Sequence, residues 1–321
     1  MACYDVFNGD ADGICALQQL RLQYPRQAQR ISGLKRDIAL LQQVDAAAGD
    51  EITVLDVSLD KNRDALVDAL ARGANVFYAD HHYAGDIPDS ELLDCHIDVA
   101  AETCTSLIIN ELLDNAQARW AVAGAYGDNF DQPARELGTS LGLRENDLAK
   151  LQQLGICLNY NGYGFGLEDL LFHPVDLFAL VHPFADPADF IADEPAYADL
   201  LSQYQDDLSR AKNSHADSES TAGAVYMLPN EGWARRIVGV MGNELAKQYP
   251  DRAHALLVDM GDGHHRVSVR APYNRKDGAD ELCRQFPSGG GRKAAAGINA
   301  LAKDSLPKFI DKFNDQFGNG I

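Results

Sequence analysis

Four acidic or imidazole clusters and one glycine-rich run carry the residues in this sequence that could do chemistry. Asp10-Ala11-Asp12-Gly13 follows an apolar run over 3–8. Asp56 stands near the end of Ile52-Thr53-Val54-Leu55-Asp56-Val57. Asp80-His81-His82 follows the run 75–79, and Asp128 closes the small-residue run Ala123-Gly124-Ala125-Tyr126-Gly127. Singly, each has an ordinary explanation: a turn for Asp-x-Asp-Gly, a hydrogen-bonded acid for Asp56, a structural triplet for Asp-His-His, a helix cap for Asp128. Together they point to cations, because carboxylates gathered in one place repel one another unless positive charge neutralises them. Oxygen-rich donors with one or two imidazoles suit Mn²⁺ or Mg²⁺ better than zinc. Two such ions ~3.5–4 Å apart would bridge a hydroxide and clamp a phosphoryl group for in-line attack.

The fifth feature is Ser288-Gly289-Gly290-Gly291-Arg292, leading into Lys293-Ala294-Ala295-Ala296-Gly297. Consecutive glycines allow close backbone approach and a nest of N–H groups for an anion. Arg292 adds a guanidinium that grips phosphate through two parallel hydrogen bonds, and Arg270 with Ser268 joins that grip as a further candidate. The alternative for the glycines is a flexible turn ahead of the alanine-rich segment.

The elements that must position these residues alternate strand and helix over the first ~130 residues. Strands are expected at 3–8, 52–57 and 75–79, an amphipathic helix at 17–22, and a second helix at 61–72. Strands separated by helices of this length indicate a parallel α/β sheet, whose binding crevice lies beyond the C-terminal strand ends. Residues 117–209 read as mainly helical. The polar segment 211–221 marks a linker. After it come a strand at 222–227, a helix at 233–247, and strands at 254–260 and 265–271. The expected division is a metal-binding domain over 1–190, a helical and polar linker over 191–221, and a smaller α/β domain over 222–321, with a cleft between the domains.

Composition narrows the partners. The 321 residues hold 48 acidic and 28 basic side chains, a formal charge of −20. That balance argues against coating long nucleic acid, which needs a basic groove, and favours a short anionic substrate held by metal ions. No run approaches the ~18–20 apolar residues of a membrane span. The start Met1-Ala2-Cys3-Tyr4-Asp5 lacks the basic region of a signal peptide. The six cysteines form no C-x-x-C pair and read as buried free thiols. Cytoplasm is the expected compartment.

In order and spelling, the motifs from Asp10 to Gly297 resemble the DHH phosphoesterase family with a C-terminal DHHA1 domain. The triplet Asp80-His81-His82 matches the motif that names the family, and the triple glycine before Ala-Ala-Gly matches the second domain. The resemblance implies that Asp10, Asp12, Asp56, His81 and Asp128 bind metal, with Asp56 bridging. It casts Asp80 as orienting His81, His82 as the histidine on the phosphate or leaving-group side, and Asn129 as supporting Asp128. Gly289, Gly290, Gly291, Arg292 and Arg270 are the implied substrate-binding residues. Two manganese ions are the implied cofactor, with magnesium or cobalt as alternatives. The implied reaction is hydrolysis of phosphate esters of short oligonucleotides or nucleotides by a bridging hydroxide. The alternatives are a RecJ-like single-stranded DNA exonuclease and a non-catalytic nucleotide-binding module, and a homodimer is a candidate assembly.

Two positions depart from the family pattern. Val6 stands where many members carry a metal-binding histidine, so the first site is expected to hold its ion weakly or to be completed by Asn8 or water. Arg292 stands where the second domain often has histidine, and a guanidinium cannot shuttle protons at neutral pH. Both departures weigh against pyrophosphatase activity. Of the remaining candidates, Tyr160 and Tyr163 in Asn159-Tyr160-Asn161-Gly162-Tyr163-Gly164 could stack on a base, with a packed helix-end turn as the alternative. His264-His265 reads as a hairpin turn, His173 and His182 as structural, and Lys35-Arg36 as solvated surface.

Overall fold

The computed structural model describes residues 1–220 and 223–318; Thr221, Ala222 and the last three residues, where the expected linker ends and the expected strand 222–227 begins, lie outside these. The chain divides into two compact units, Met1–Ser202 and Gln203–Ile321.

The first unit is built on β1 (Cys3–Phe7), α1 (Ala11–Gln23), β2 (Gln29–Ile31), β3 (Glu51–Leu55), α2 (Leu59–Ala71), β4 (Asn75–Asp80) and β5 (Leu93–Ile97). All five strands are parallel, in the order β2-β1-β3-β4-β5. The chain leaves β1 towards β2 on one side of the sheet and leaves β3 towards β4 on the other. That reversal opens a crevice at the C-terminal ends of β1 and β3, where ligands bind in sheets of this type. The remaining helices are α3 (Thr105–Leu112), α4 (Ala118–Gly127), α5 (Asp131–Ser140), α6 (Glu145–Asn161), α7 (Pro174–Val181), α8 (Pro187–Asp193) and α9 (Pro195–Lys212). The boundary between the units falls inside α9.

Alternation along the strands supplies both faces of the sheet with core. Val6, Val54, Val76 and Tyr78 pack with Leu59 and Leu66 of α2, and Phe7, Leu55 and Ala79 pack with α1 and α3. The amphipathic helix expected at 17–22 instead begins at Ala11, and all of Ala11–Arg21 is buried. Its polar residues survive burial because each finds a partner. Gln18 Nε2 donates to the Phe184 carbonyl (2.8 Å), Gln19 Nε2 to the Ser106 carbonyl (3.1 Å), and Arg21 Nε to Asp5 (3.0 Å).

The second unit comprises β6 (Ser218–Glu219), β7 (Gly223–Leu228), α10 (Gly232–Gln248), β8 (Ala253–Asp259), β9 (His264–Arg270), α11 (Ala279–Cys283), β10 (Gly289–Arg292), β11 (Ala295–Ala302) and α12 (Leu306–Gly318). Its mixed sheet runs β10-β11-β9-β8-β7-β6, with only β7 and β8 parallel. Phe309, Phe313 and Phe317 recur every four residues on α12 and seal one face against Val225, Leu257 and Val267. Among the described residues, no helix is long and apolar enough to cross a membrane. The cysteines are free thiols, as expected, with Cys15, Cys104, Cys157 and Cys283 buried.

Candidate metal centre

Asp10 leaves β1 as the N-cap of α1, its Oδ1 accepting from the backbone N–H groups of Asp12 (3.0 Å) and Gly13 (3.1 Å). Only glycine fits at position 13, where a Cβ would stand 2.3 Å from the Asn8 carbonyl oxygen. Asp12 then points back from the first turn into the start of α3. Its two oxygens accept from Thr105 N (2.8 Å) and Ser106 N (2.7 Å), the free amides of that helix end. Each oxygen keeps a lone pair for a further partner.

Asp56 was expected inside a strand over 52–57, but β3 ends at Leu55 and Asp56 takes a left-handed conformation with φ of +58°. A non-glycine residue there costs on the order of 1–2 kcal/mol, and the turn aims the carboxylate across the strand ends. Its Oδ1 accepts from Thr105 Oγ1 (3.1 Å) and lies 3.5 Å from His81 Nε2. Burial first, and then the charges of Asp10, Asp12, Asp128 and Asp80, push the Asp56 carboxyl well above the ordinary carboxylate range. A cation among these acids would reverse that push.

Asp128 arrives on α4, whose small residues permit close packing. A Cβ at Gly124 would meet Ser106 Oγ at 2.2 Å, and one at Gly127 would meet Ala11 Cβ at 2.2 Å. Asp128 is the C-cap of α4, so its carboxylate sits at the negative end of the helix dipole and gains from a nearby cation. Its Oδ2 lies 3.5 Å from His81 Nε2. Burial, opposed by Lys35 and reinforced by Asp10 and Asp12, leaves the Asp128 carboxyl above its usual range. Asn129 follows in a left-handed turn, φ +64°, and is exposed.

The two histidines are held differently from the expectation. Asp80 orients His82, not His81: Asp80 Oδ1 and His82 Nδ1 are 2.7 Å apart. His81 is fixed instead through Nδ1 by the Thr103 carbonyl (3.1 Å), which turns Nε2 towards Asp56 and Asp128. An imidazole held by a carbonyl or carboxylate at one nitrogen is the arrangement that metal-binding histidines need. The His82 side chain is 41% exposed against 15% for His81, so His82 is the ring open to an incoming molecule. Burial lowers the His82 pKa, but the Asp80 hydrogen bond and the charges of Asp80, Asp128 and Asp10 outweigh it, and the net shift is upward.

Sequence reasoning missed Lys35. Read as solvated surface, it instead donates from Nζ to Asp10 Oδ2 (2.6 Å), Asp128 Oδ1 (2.8 Å) and Asn159 Oδ1 (2.8 Å). Burial disfavours the charge, but Asp10 and Asp128 overcome it, and the Lys35 pKa stands well above its ordinary value. The same contacts, against the opposing effect of burial, hold Asp10 below the usual carboxylate range. The segment 159–163 is a packed helix end around this lysine: Tyr160 is buried, and the Lys35 Nζ lies 5.9 Å from the Tyr163 ring. The available signal was positional, a basic residue just past β2 at the same sheet edge as the acids.

Among the described residues, two donor sets could hold a metal ion: Asp12, His81 and Asp128, and Asp56, His81 and His82, each with ligand atoms within 4.8 Å of one another. Carboxylate oxygens with imidazole nitrogens suit a divalent ion of the manganese or magnesium kind. Asp10 is in neither set, because its Oδ2 faces the Lys35 ammonium, and Val6 is buried in the core beside the sheet.

In the second unit, the glycine run is an edge strand and not a nest. Gly289–Arg292 pairs antiparallel with Ala295–Ile298, and consecutive N–H groups of a strand point in alternate directions. Two of the glycines are there for packing: a Cβ would stand 1.8 Å from the Cys283 carbonyl oxygen at Gly289, and 2.5 Å from Ala296 Cα at Gly291. Gly290 has open space where a Cβ would point, and Arg292 is exposed. Arg270 is engaged on the opposite side of β9 from the core. Its Nε donates to Asn243 (2.8 Å) and its Nη1 to Ser268 Oγ (2.9 Å). His264 opens β9 after a turn in which Asp262 accepts its backbone N–H at 3.0 Å.

A search of curated proteins finds no match. The family model for the DHHA1 domain matches residues 220–319. Among solved structures, exonuclease RecJ bound to manganese is similar over 100% of this chain and 91% of its own, with a TM-score of 0.67 and 16% identity. RecJ of Thermus thermophilus in complex with Mn²⁺ has a TM-score of 0.66 and 17% identity, covering 100% of this chain and 52% of that one. The pGpG-specific phosphodiesterase PggH of Vibrio cholerae has a TM-score of 0.59 and 13% identity over 98% of this chain and all of its own. At such identities the likeness establishes the fold. Residues 220–319 thus match the DHHA1 domain, and the chain as a whole has the RecJ-like DHH/DHHA1 fold.

Proposed function

We propose that this protein is a manganese-dependent phosphoesterase acting on short oligonucleotides or nucleotides. The observation that carries the reading is convergence on His81: Asp12 and Asp128 form one possible donor set with it and Asp56 another with it and His82, although these acids come from separate segments. Oxygen donors of this kind hold divalent cations, and RecJ, which shares the fold, has been solved with manganese. A divalent ion bound there would supply Lewis acidity at phosphorus and an activated water.

The chain's own residues would do the rest. Asp80 holds Nδ1 of His82, fixing the ring so that Nε2 can give a proton to the leaving oxygen. Lys35 neutralises Asp10 and Asp128, which keeps the acids together before an anionic substrate arrives. In the second unit, Arg292 beside the open backbone at Gly290 is suited to gripping a phosphate. The net charge of −20 favours a short substrate over a long strand.

The test is metal binding and turnover in one variant. Manganese titration by calorimetry should show a bound ion in the wild type, and His81→Ala should lose both that binding and hydrolysis of a dinucleotide. Unchanged turnover in His81→Ala would defeat the proposal. A second reading, exonuclease action on single-stranded DNA, draws on the fold likeness to RecJ.

A further inference from the structure

Resting on the metal-centre reading above, we infer that the centre takes one divalent ion rather than two, and that the Lys35 ammonium stands where a second would be held. The ammonium has three N–H donors, and Asp10 Oδ2, Asp128 Oδ1 and Asn159 Oδ1 satisfy all three at 2.6–2.8 Å. A divalent ion ligated by the same Asp10 and Asp128 oxygens would stand about 2.0–2.6 Å from them, in the volume that Nζ fills.

The surrounding residues fit this division. The other Asp10 oxygen is committed to capping α1 through Asp12 N and Gly13 N. Val6 offers no donor and is wholly buried in the hydrophobic core. Among the described residues, both donor sets suited to a metal contain His81 and neither includes Asp10; Asp128 gives Oδ1 to Lys35 and has Oδ2 3.5 Å from His81 Nε2. Asn159, a neutral acceptor on α6, completes an ammonium's hydrogen-bond set while adding no negative charge to attract a divalent ion. Lys35 is held in place at its backbone as well, its N–H donating to the Gly162 carbonyl at 2.9 Å. The lysine thus supplies a fixed positive charge to two of the acids, and the exchangeable ion belongs to Asp12, Asp56, His81 and Asp128.

The experiment counts manganese in the full-length protein by elemental analysis after equilibration and gel filtration, with electron paramagnetic resonance on the same samples. The wild type is expected to hold one manganese per chain, with the six-line spectrum of an isolated ion. Lys35→Met, checked for cooperative unfolding, should take up a second equivalent at raised manganese concentration and show exchange coupling between the ions. Two coupled ions in the wild type would overturn the role given to Lys35 while leaving the phosphoesterase reading standing. A Lys35→Met protein that still binds only one ion would overturn it too. No bound manganese in the wild type would overturn the metal centre itself.

Discussion

His82 and Asp80 are joined by a 2.7 Å hydrogen bond between Nδ1 and Oδ1, although the two residues are separated by only His81, which turns the other way to the Thr103 carbonyl. The Asp-His-His triplet therefore divides its labour. The first histidine faces the carboxylates, and the second, more exposed, is held by the aspartate.

Asp80 is accordingly a positioning residue for His82. Asp80→Asn should lower turnover by about 10–100-fold, the usual loss when a group that orients an imidazole is removed. It should also move the alkaline limb of the pH–rate profile to lower pH, because the carboxylate charge that raises the pKa of the proton-donating His82 is gone. Steady-state rates across pH 5–9 would check both effects; an unchanged profile would separate Asp80 from His82.

Packing of α4 makes a stability prediction. Gly127→Ala would place a methyl carbon 2.2 Å from Ala11 Cβ and 2.7 Å from the Gly155 carbonyl oxygen. Overpacking of this kind costs about 1–3 kcal/mol, read from chemical denaturation. The same shift would displace Asp128, the next residue, so manganese affinity should fall along with stability.

The strands β1, β3, β4, β8 and β9 and the helices α2 and α10 were legible to within about two residues, because the chemistry of the residues and their local periodicity coincide there. Asp80 ends one apolar run that is a strand and Asp10 follows another by three residues, and their place at the C-terminal sheet edge followed from that alone. Asp56 was legible as a site residue but not as a turn, since nothing in Leu55-Asp56-Val57 marks a positive φ. The edge strand β5, Leu-Asp-Cys-His-Ile, alternates polar and apolar without a continuous run. Lys35 was hidden for a different reason. Its partners Asp128 and Asn159 lie 93 and 124 residues away, and β2, which delivers it, has three residues. Asp80 was assigned the wrong histidine because spacing alone cannot say which of two adjacent rings an aspartate meets.

In the second unit, His254 on β8 is wholly buried, and neither ring nitrogen has a hydrogen-bond partner among the described residues. Burial, helped by the Arg252 charge, pulls its pKa down to about 4. The unfolded chain, with an ordinary pKa near 6.5, then binds a proton that the folded chain refuses. Stability is full above about pH 6.5 and falls as pH drops towards 4, by roughly 3 kcal/mol when the loss is complete. His254→Leu should remove that part of the acid sensitivity. Thermal unfolding followed between pH 7 and pH 4 would reveal equal slopes in the two proteins if the histidine plays no part.

Substrate length discriminates the two nucleolytic readings. On the short-substrate reading, which draws on the net charge of −20, rates of hydrolysis should fall as a DNA or RNA series lengthens. Processive degradation of long single strands would favour the exonuclease.

The most direct measurement is manganese-dependent release of mononucleotide from a dinucleotide by the wild type and by Asp56→Asn. Asp56 lies beside both histidines, and its carboxylate belongs to the set that would hold the ion. The account predicts hydrolysis by the wild type that chelation abolishes, and a loss on the order of a thousandfold or more in Asp56→Asn. Hydrolysis that survives both chelation and the substitution would contradict it.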